Sequence, residues 1–256
     1  MTVFSLVHGG QQGAWCFDPL VAELAARGYS SIAVDLPSED PDAGLDDYAD
    51  VVSASLVGVT EPVIVMGHSL GGLVLPLIAE RRPVAGLAFV CAALPFPGES
   101  LAATIAEDAA SHGGADLLDD GARIHRSSPE VAREVFFPDC SPEIQEWALA
   151  RQRDQGERPH RERSPLRAWP DVPVVAVNGT EDRAISRSRA LTTTMRLFGA
   201  PPVAIDEGHF PFLTNPALIA DGLVAFAEGS ALPWPVLRAL PEFRASIDTP
   251  ERERQD

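Results

Sequence analysis

The sequence predicts an α/β fold: a doubly wound, mainly parallel sheet of six strands with helices on both faces and a helical insertion. Three observations predict it. Short runs rich in Val, Ile and Ala recur six times without polar alternation, as strands buried on both faces require. Between them lie longer segments with apolar residues at three- and four-residue spacings, the period of amphipathic helices. One long stretch, from Leu94 to Pro170, breaks this rhythm with short helical pieces, prolines and charge.

Taken in order, the strands are 3–7, 31–35, 62–66, 86–91, 173–178 and 202–205, each a continuous apolar run. The helices are 17–27, 45–57, 70–81, 186–198 and 216–227, each with the helical apolar period. Right-handed crossovers between parallel strands then place helices on both sheet faces. Residues 1–93 and 171–229 make up the core, and 94–170 the insertion. Within the insertion, Arg151 to Arg167 holds six Arg and three acidic residues and reads as a solvated, mobile linker, with an anion-binding role as the alternative. Residues 230–256 form a C-terminal extension. In it Trp234, Leu237, Leu240 and Phe243, three residues apart, are expected to pack on the domain itself, and the last ten residues to be disordered.

Composition removes several classes of function. All 20 basic residues are Arg and none is Lys, so Schiff-base, P-loop and kinase chemistries that need a lysine amine are excluded. The net charge of −17, with no basic patch interleaved with aromatics, excludes nucleic acid as a partner. The longest apolar run, Val84 to Leu94, stops at Pro95, short of the ~20 residues of a membrane span. With no cationic leader at the N-terminus, a cytoplasmic location without a membrane partner is expected. Cys16, Cys91 and Cys140 have no C-x-x-C spacing, so neither a disulfide framework nor a zinc site is indicated, and all three are expected reduced and buried.

The chemistry concentrates at three loops. Gly67-His68-Ser69-Leu70-Gly71 matches the nucleophile-elbow pattern G-x-S-x-G, directly after a strand and directly before a helix. That placement puts a serine on a sharp turn at a helix start, where developing negative charge is favoured. A serine hydroxyl needs a base, and the base needs a third group to hold its tautomer. His209, in Glu207-Gly208-His209-Phe210-Pro211, follows the last strand, and Asp182 follows the fifth. Both fall at carboxyl ends of strands, where α/β sheets place their ligand crevice. Glu181 is the rival acid, with Asp206 and Glu207 behind it. His112, His125 and His160 lie in the irregular insertion, and His68 is expected to point away from the serine. His8-Gly9-Gly10-Gln11 follows the first strand, so the backbone N–H groups of Gly10 and Leu70 are the candidate oxyanion donors. His8 and Asp35 read as loop-bracing residues.

These residues resemble the α/β-hydrolase superfamily, in its compact branch of plant methylesterases and hydroxynitrile lyases. The similarity runs over most of residues 3 to 228. It is carried by Val7-His8-Gly9-Gly10 leading to Gly13-Ala14-Trp15, then Asp35-Leu36, the elbow with Gly72, Pro97-Gly98-Glu99-Ser100-Leu101, Gly179-Thr180-Glu181-Asp182 and Gly208-His209. The resemblance implies that residues 94–170 form a cap over the active site. It also implies that lyases of the branch carry threonine where this chain has Gly9 and lysine where it has Phe210. Both departures favour ester hydrolysis. A proline often found four residues after the acid is here Ser186.

The expected function is therefore hydrolysis of a small-molecule carboxylic ester by a serine hydrolase, with catalytic residues Ser69, Asp182 and His209 and neither cofactor nor metal. Trp15, Phe96, Phe137, Trp147 and Phe210, with Phe136, are candidates for an apolar substrate pocket or for ordinary cap packing. Two alternatives share the fold: a biosynthetic lyase, thioesterase or cyclase using the same triad, or a non-catalytic ligand receptor.

Overall fold

The computed structural model describes residues 1–106, 123–230 and 234–244. In chain order it contains β1 (Val3–Val7), α1 (Asp18–Ala26), β2 (Ser30–Val34), α2 (Leu45–Ser55), β3 (Val63–Ser69), α3 (Leu75–Arg81), β4 (Gly86–Ala92) and α4 (Leu101–Ala106). Then come β5 (Ile124–His125), α5 (Pro129–Val135), α6 (Pro142–Leu149), β6 (Gln155–Gly156) and α7 (Arg158–Arg161). The remainder is β7 (Val174–Gly179), α8 (Arg187–Phe198), β8 (Val203–Ile205), α9 (Pro211–Thr214), α10 (Pro216–Glu228) and α11 (Pro241–Arg244).

Six strands form one sheet in the order β2-β1-β3-β4-β7-β8, and every neighbouring pair is parallel. Successive side chains of a strand point to opposite faces, so the continuous apolar runs feed two cores at once. On β3, Val63 and Val65 pack with Leu45, Tyr48 and Val52 of α2 and Leu77 and Ile78 of α3. Ile64 and Met66 pack on the other face with Leu20 and Leu24 of α1 and Ile219 and Leu223 of α10. Burial of each such side chain contributes about 1.5–3 kcal/mol, which fixes the register that lines up the strand ends. Edge strands β2 and β8 depart from the expected double burial, because each has a neighbour on one side only and is largely half-exposed.

The single helix expected over 70–81 is two pieces: a 3-10 segment, Leu70–Val74, and α3. Pro76 in the first turn of α3 accounts for the break, since its ring has no N–H and would clash with the carbonyl four residues earlier in a continuous α-helix. The Arg-rich stretch also differs from the expected mobile linker. It contains β6 and α7, β6 pairs with β5, and several of its charges are held, Arg153 across the fold and Arg161 and Arg151 locally. Arg153 reaches Glu39 at 2.5 Å and Asp35 at 3.4 Å, Arg161 reaches Glu157 at 3.3 Å, and Arg151 lies over the Trp147 ring at 4.9 Å.

The extension packs on its own domain. Trp234 is buried with α10, Leu237 pairs with Val174 by two backbone hydrogen bonds, and Leu240 N–H donates to the Leu197 carbonyl. The last ten residues, expected to be disordered, and His112 lie outside the described residues. The three cysteines are free and buried, and burial pushes the Cys140 thiol up to about 12.

Candidate active site

Because all six strands run the same way, the loops after β1, β3, β7 and β8 gather at one end of the sheet. Ser69 ends β3 with φ 51° and ψ −126°, a conformation that non-glycine residues avoid and that tight packing must hold. The packing is visible at Gly71 and Gly9. A Cβ on Gly71 would lie 2.4 Å from the His8 carbonyl oxygen, so only glycine lets the two turns approach. A Cβ on Gly9 would lie 2.6 Å from Cβ of Ser69, so this position has no room for a side chain unless the serine turn moves.

His209 and Asp182 are brought together across the β7 and β8 loops. Asp182 Oδ2 accepts from Nδ1–H of His209 at 2.9 Å, and because a carboxylate only accepts, Nδ1 carries a proton, which leaves Nε2 as the acceptor whenever the ring is neutral. Both side chains are buried. Oδ1 of Asp182 accepts the backbone N–H groups of Ala184 (2.9 Å) and Ile185 (2.8 Å), which fixes the carboxylate plane. Glu181, the rival acid, is exposed. Phe136 stacks on His209 at 5.9 Å between ring centroids.

Two further histidines brace the site. Nδ1–H of His8 donates to the Gly9 carbonyl at 2.8 Å while Nε2 accepts from Leu36 N–H at 2.9 Å. Burial lowers its pKa to about 4, so the ring is neutral. His68 does more than point away from the serine: its Nε2–H donates to the His209 carbonyl at 2.9 Å, and its ring packs on His209, Phe210 and Phe212. Burial holds its pKa well below the usual value.

Ser69, His209, Gly10 and Leu70 line one pocket. Its apolar wall is Leu101, Ile105, Phe136, Ala184, Ile185 and Phe210, and its polar wall Gln11, Gln12, His125, His160 and Arg189. Of the six aromatic candidates for substrate contact, Phe136 and Phe210 are in this lining, and Trp15, Phe96, Phe137 and Trp147 pack elsewhere. Trp15 and Trp147 pack edge to face on each other at 4.9 Å. Phe137 packs on Phe210 at 4.8 Å, and Phe96 lies under the Arg196 guanidinium and against Phe243. Their positions are set by partners distant in sequence, which spacing alone does not reveal.

Residues without a motif complete the site. Asp139 Oδ2 accepts Gly208 N–H at 2.6 Å and clamps the His209 loop. Gln11, at φ 62°, accepts at Oε1 from Ser127 N–H (2.7 Å) and Gln152 Nε2–H (2.6 Å), while its own N–H donates to Gln155 Oε1 at 3.3 Å. The turn bearing Gly10 is thus tied to residues 127–155. No group of three or more His, Cys, Asp or Glu among the described residues is arranged to hold a metal ion, and no helix among them is long and apolar enough to cross a membrane.

A parallel six-stranded sheet with a strained serine after β3 and a buried Asp-His pair after β7 and β8 is the architecture of an α/β hydrolase. The chain belongs to the Alpha/beta hydrolase family, whose model matches residues 6–222. It is 27% identical over 278 residues to a pyrethroid hydrolase of Sphingobium wenxiniae, covering 100% of this chain and 99% of that protein. It is 38% identical over 104 residues to methylesterase 7 of Arabidopsis thaliana, covering 36% and 40% of the two chains. The crystal structure of a pyrethroid hydrolase from Sphingobium faniae superposes with a TM-score of 0.75 at 24% identity, over 90% of this chain and 98% of that one.

Proposed function

We propose that the protein is a serine hydrolase that cleaves a small-molecule carboxylic ester through an acyl-enzyme. The observation that carries the reading is the buried Asp182–His209 hydrogen bond, with His209 lining the same pocket as Ser69 on its strained turn. His209 Nε2 takes the proton of Ser69 Oγ as the oxygen attacks the acyl carbon, and Asp182 stabilises the imidazolium without taking its proton. The backbone N–H groups of Gly10 and Leu70 receive the oxyanion, each contributing about 3 kcal/mol to the transition state. The protonated His209 then delivers its proton to the leaving alcohol, and water, activated by the same base, resolves the acyl-enzyme.

The relatives named for hydrolysis of esters support this reading, as does the absence of a lysine beside His209, where Phe210 stands. Turnover of a short-chain aryl ester series tests it. Ser69→Ala is expected to abolish turnover, and Asp182→Asn to lower kcat about 10³–10⁴-fold through the wrong imidazole tautomer. Full activity in either variant contradicts the assignment.

A further inference from the structure

The turn that carries Gly10, the candidate oxyanion donor, is anchored in the core at its two ends. On one side the His8 ring accepts from Leu36 N–H, and on the other Ala14 N–H donates to Asp35 Oδ1 at 2.7 Å. Between these anchors the hydrogen bonds of Gln11 and Gln12 lead elsewhere, to residues 127–155. The Gln12 carbonyl accepts from Nη1 of Arg153 at 3.5 Å. Gln11 uses all of its hydrogen-bonding groups there. Its N–H donates to Gln155 Oε1 (3.3 Å), and its carbonyl accepts Arg153 N–H (2.9 Å). Its Oε1 accepts Ser127 N–H (2.7 Å) and Gln152 Nε2–H (2.6 Å), and its Nε2–H donates to Ser127 Oγ (3.1 Å).

The segment that receives these bonds is itself fixed to the core. Gly156 N–H donates to the Ser38 carbonyl at 2.7 Å, and Gln155 Nε2–H donates at 2.9 Å to the hydroxyl of Tyr48, a buried residue of α2. Gln155 is buried and lies directly against Gly10, where a Cβ would fall 3.3 Å from Gln155 Oε1 and 3.6 Å from its Cδ. Gln11 is buried as well and held at φ 62°, a conformation that a residue with a side chain adopts only when its surroundings impose it. A buried polar residue with every group paired specifies one arrangement of its backbone, and here that backbone directly follows Gly10.

We propose that Gln11 is a positioning residue for the oxyanion hole: it ties the turn after β1 to Ser127, Gln152 and Gln155, and so holds the Gly10 N–H in place. The assignment rests on the serine-esterase reading of the same pocket. Donors of an oxyanion hole act because they are fixed before the charge develops, so a residue that fixes one of them acts on the transition state without touching the reacting atoms. Gln152 and Gln155 lie outside the pocket lining that Gln11 shares with Gly10 and Ser69, so their effect on the chemistry passes through Gln11. Residues 127–155 thereby complete a hole whose donors both belong to the loops after β1 and β3.

Three variants test it. Gln11→Met keeps the length of the side chain and removes its hydrogen bonds, and Gln152→Met removes one of them from outside the pocket. Gln11→Glu keeps both acceptor bonds while the Ser127 hydroxyl turns to donate. Each is assayed on the phenyl ester that the wild type turns over fastest and on its thiono analogue, in which sulfur replaces the carbonyl oxygen. Sulfur is a weak acceptor, so a misplaced oxyanion donor slows the oxo ester and leaves the thiono ester little changed. The oxo-to-thiono ratio of kcat/KM is expected to fall about tenfold or more in Gln11→Met, through kcat of the oxo ester with KM little changed. It is expected to fall in Gln152→Met as well and to be largely restored in Gln11→Glu. A general loosening of the fold slows both esters alike, so an unchanged ratio in Gln11→Met overturns the inference and leaves the esterase reading standing. A ratio that falls in Gln11→Met but not in Gln152→Met also overturns it, because Gln11 then acts by touching the substrate. If Gln11→Met does not fold, the Gln152→Met ratio decides. A wild-type protein with neither ester turnover nor a fluorophosphonate adduct overturns the serine-esterase reading and this inference together.

Discussion

Nε2–H of His68 donates to the backbone carbonyl of His209 at 2.9 Å, joining the residue before the candidate nucleophile to the candidate base. The two lie 141 residues apart in sequence, and both are buried. The bond ties the end of β3 to the loop after β8, so the distance from serine to imidazole is set by backbone as well as by side chains.

Removal of this strut in His68→Leu leaves a buried carbonyl unpaired, which costs about 1–3 kcal/mol of stability. Loosening of the His209 loop is expected to lower kcat by about tenfold or more, with KM little changed. His68→Gln, which can restore a donor, recovers part of the loss. Steady-state kinetics and urea unfolding of the two variants check both effects.

Gly9→Ala places a methyl group 2.6 Å from Cβ of Ser69 and 3.2 Å from Nδ1 of His68. The serine turn must move to admit it, and displacement of a reacting atom by about 1 Å can cost 10²-fold in rate. The expected result is a kcat loss of roughly 10²-fold in a protein that still folds, read by aryl-ester kinetics beside circular dichroism.

His8 has a folded pKa of about 4 against an ordinary value of 6.5, so below pH 6.5 the unfolded chain binds a proton that the folded protein refuses. The stability held above pH 6.5 is therefore lost as pH falls towards 4. His8 alone is expected to remove about 2 kcal/mol between pH 7 and pH 5. His160, also lowered to about 4, and His68 act in the same direction. Urea midpoints at the two pH values measure the slope, and His8→Gln should flatten it.

The extension is an integral part of the core. Trp234 is 2% exposed, and its ring sits so close to α10 that a Cβ on Gly222 would fall 2.1 Å from it. Trp234→Ala is expected to cost about 3–5 kcal/mol, seen as a lowered Tm. An unchanged Tm would detach the extension from the fold.

Much of this architecture is legible in the sequence because local chemistry dictates it. The apolar runs at Val3, Val63, Gly86 and Val174 are strands because both faces are covered, and the glycines around Ser69 mark a turn where backbones touch. Ser69, Asp182 and His209 are candidates because each is a polar residue at or just after the carboxyl end of a strand. The pocket wall is not legible in the same way. Phe96 and Trp147 are aromatic residues of the insertion, and nothing local says that Arg196 and Trp15 will cover them. The two-residue strands β5 and β6 have no period to detect, and they carry or adjoin His125, Gln155 and Glu157. The role of His68 was hidden for the same reason, since its partner is a backbone atom of a distant loop.

The central claim is that Ser69 is an activated nucleophile, and intact mass after incubation with a fluorophosphonate tests it most directly. The account predicts one covalent adduct on the wild-type protein, located on the peptide that contains Ser69, and none on Ser69→Ala. A folded wild-type protein that takes no adduct, or a Ser69→Ala variant that still takes one, would contradict it.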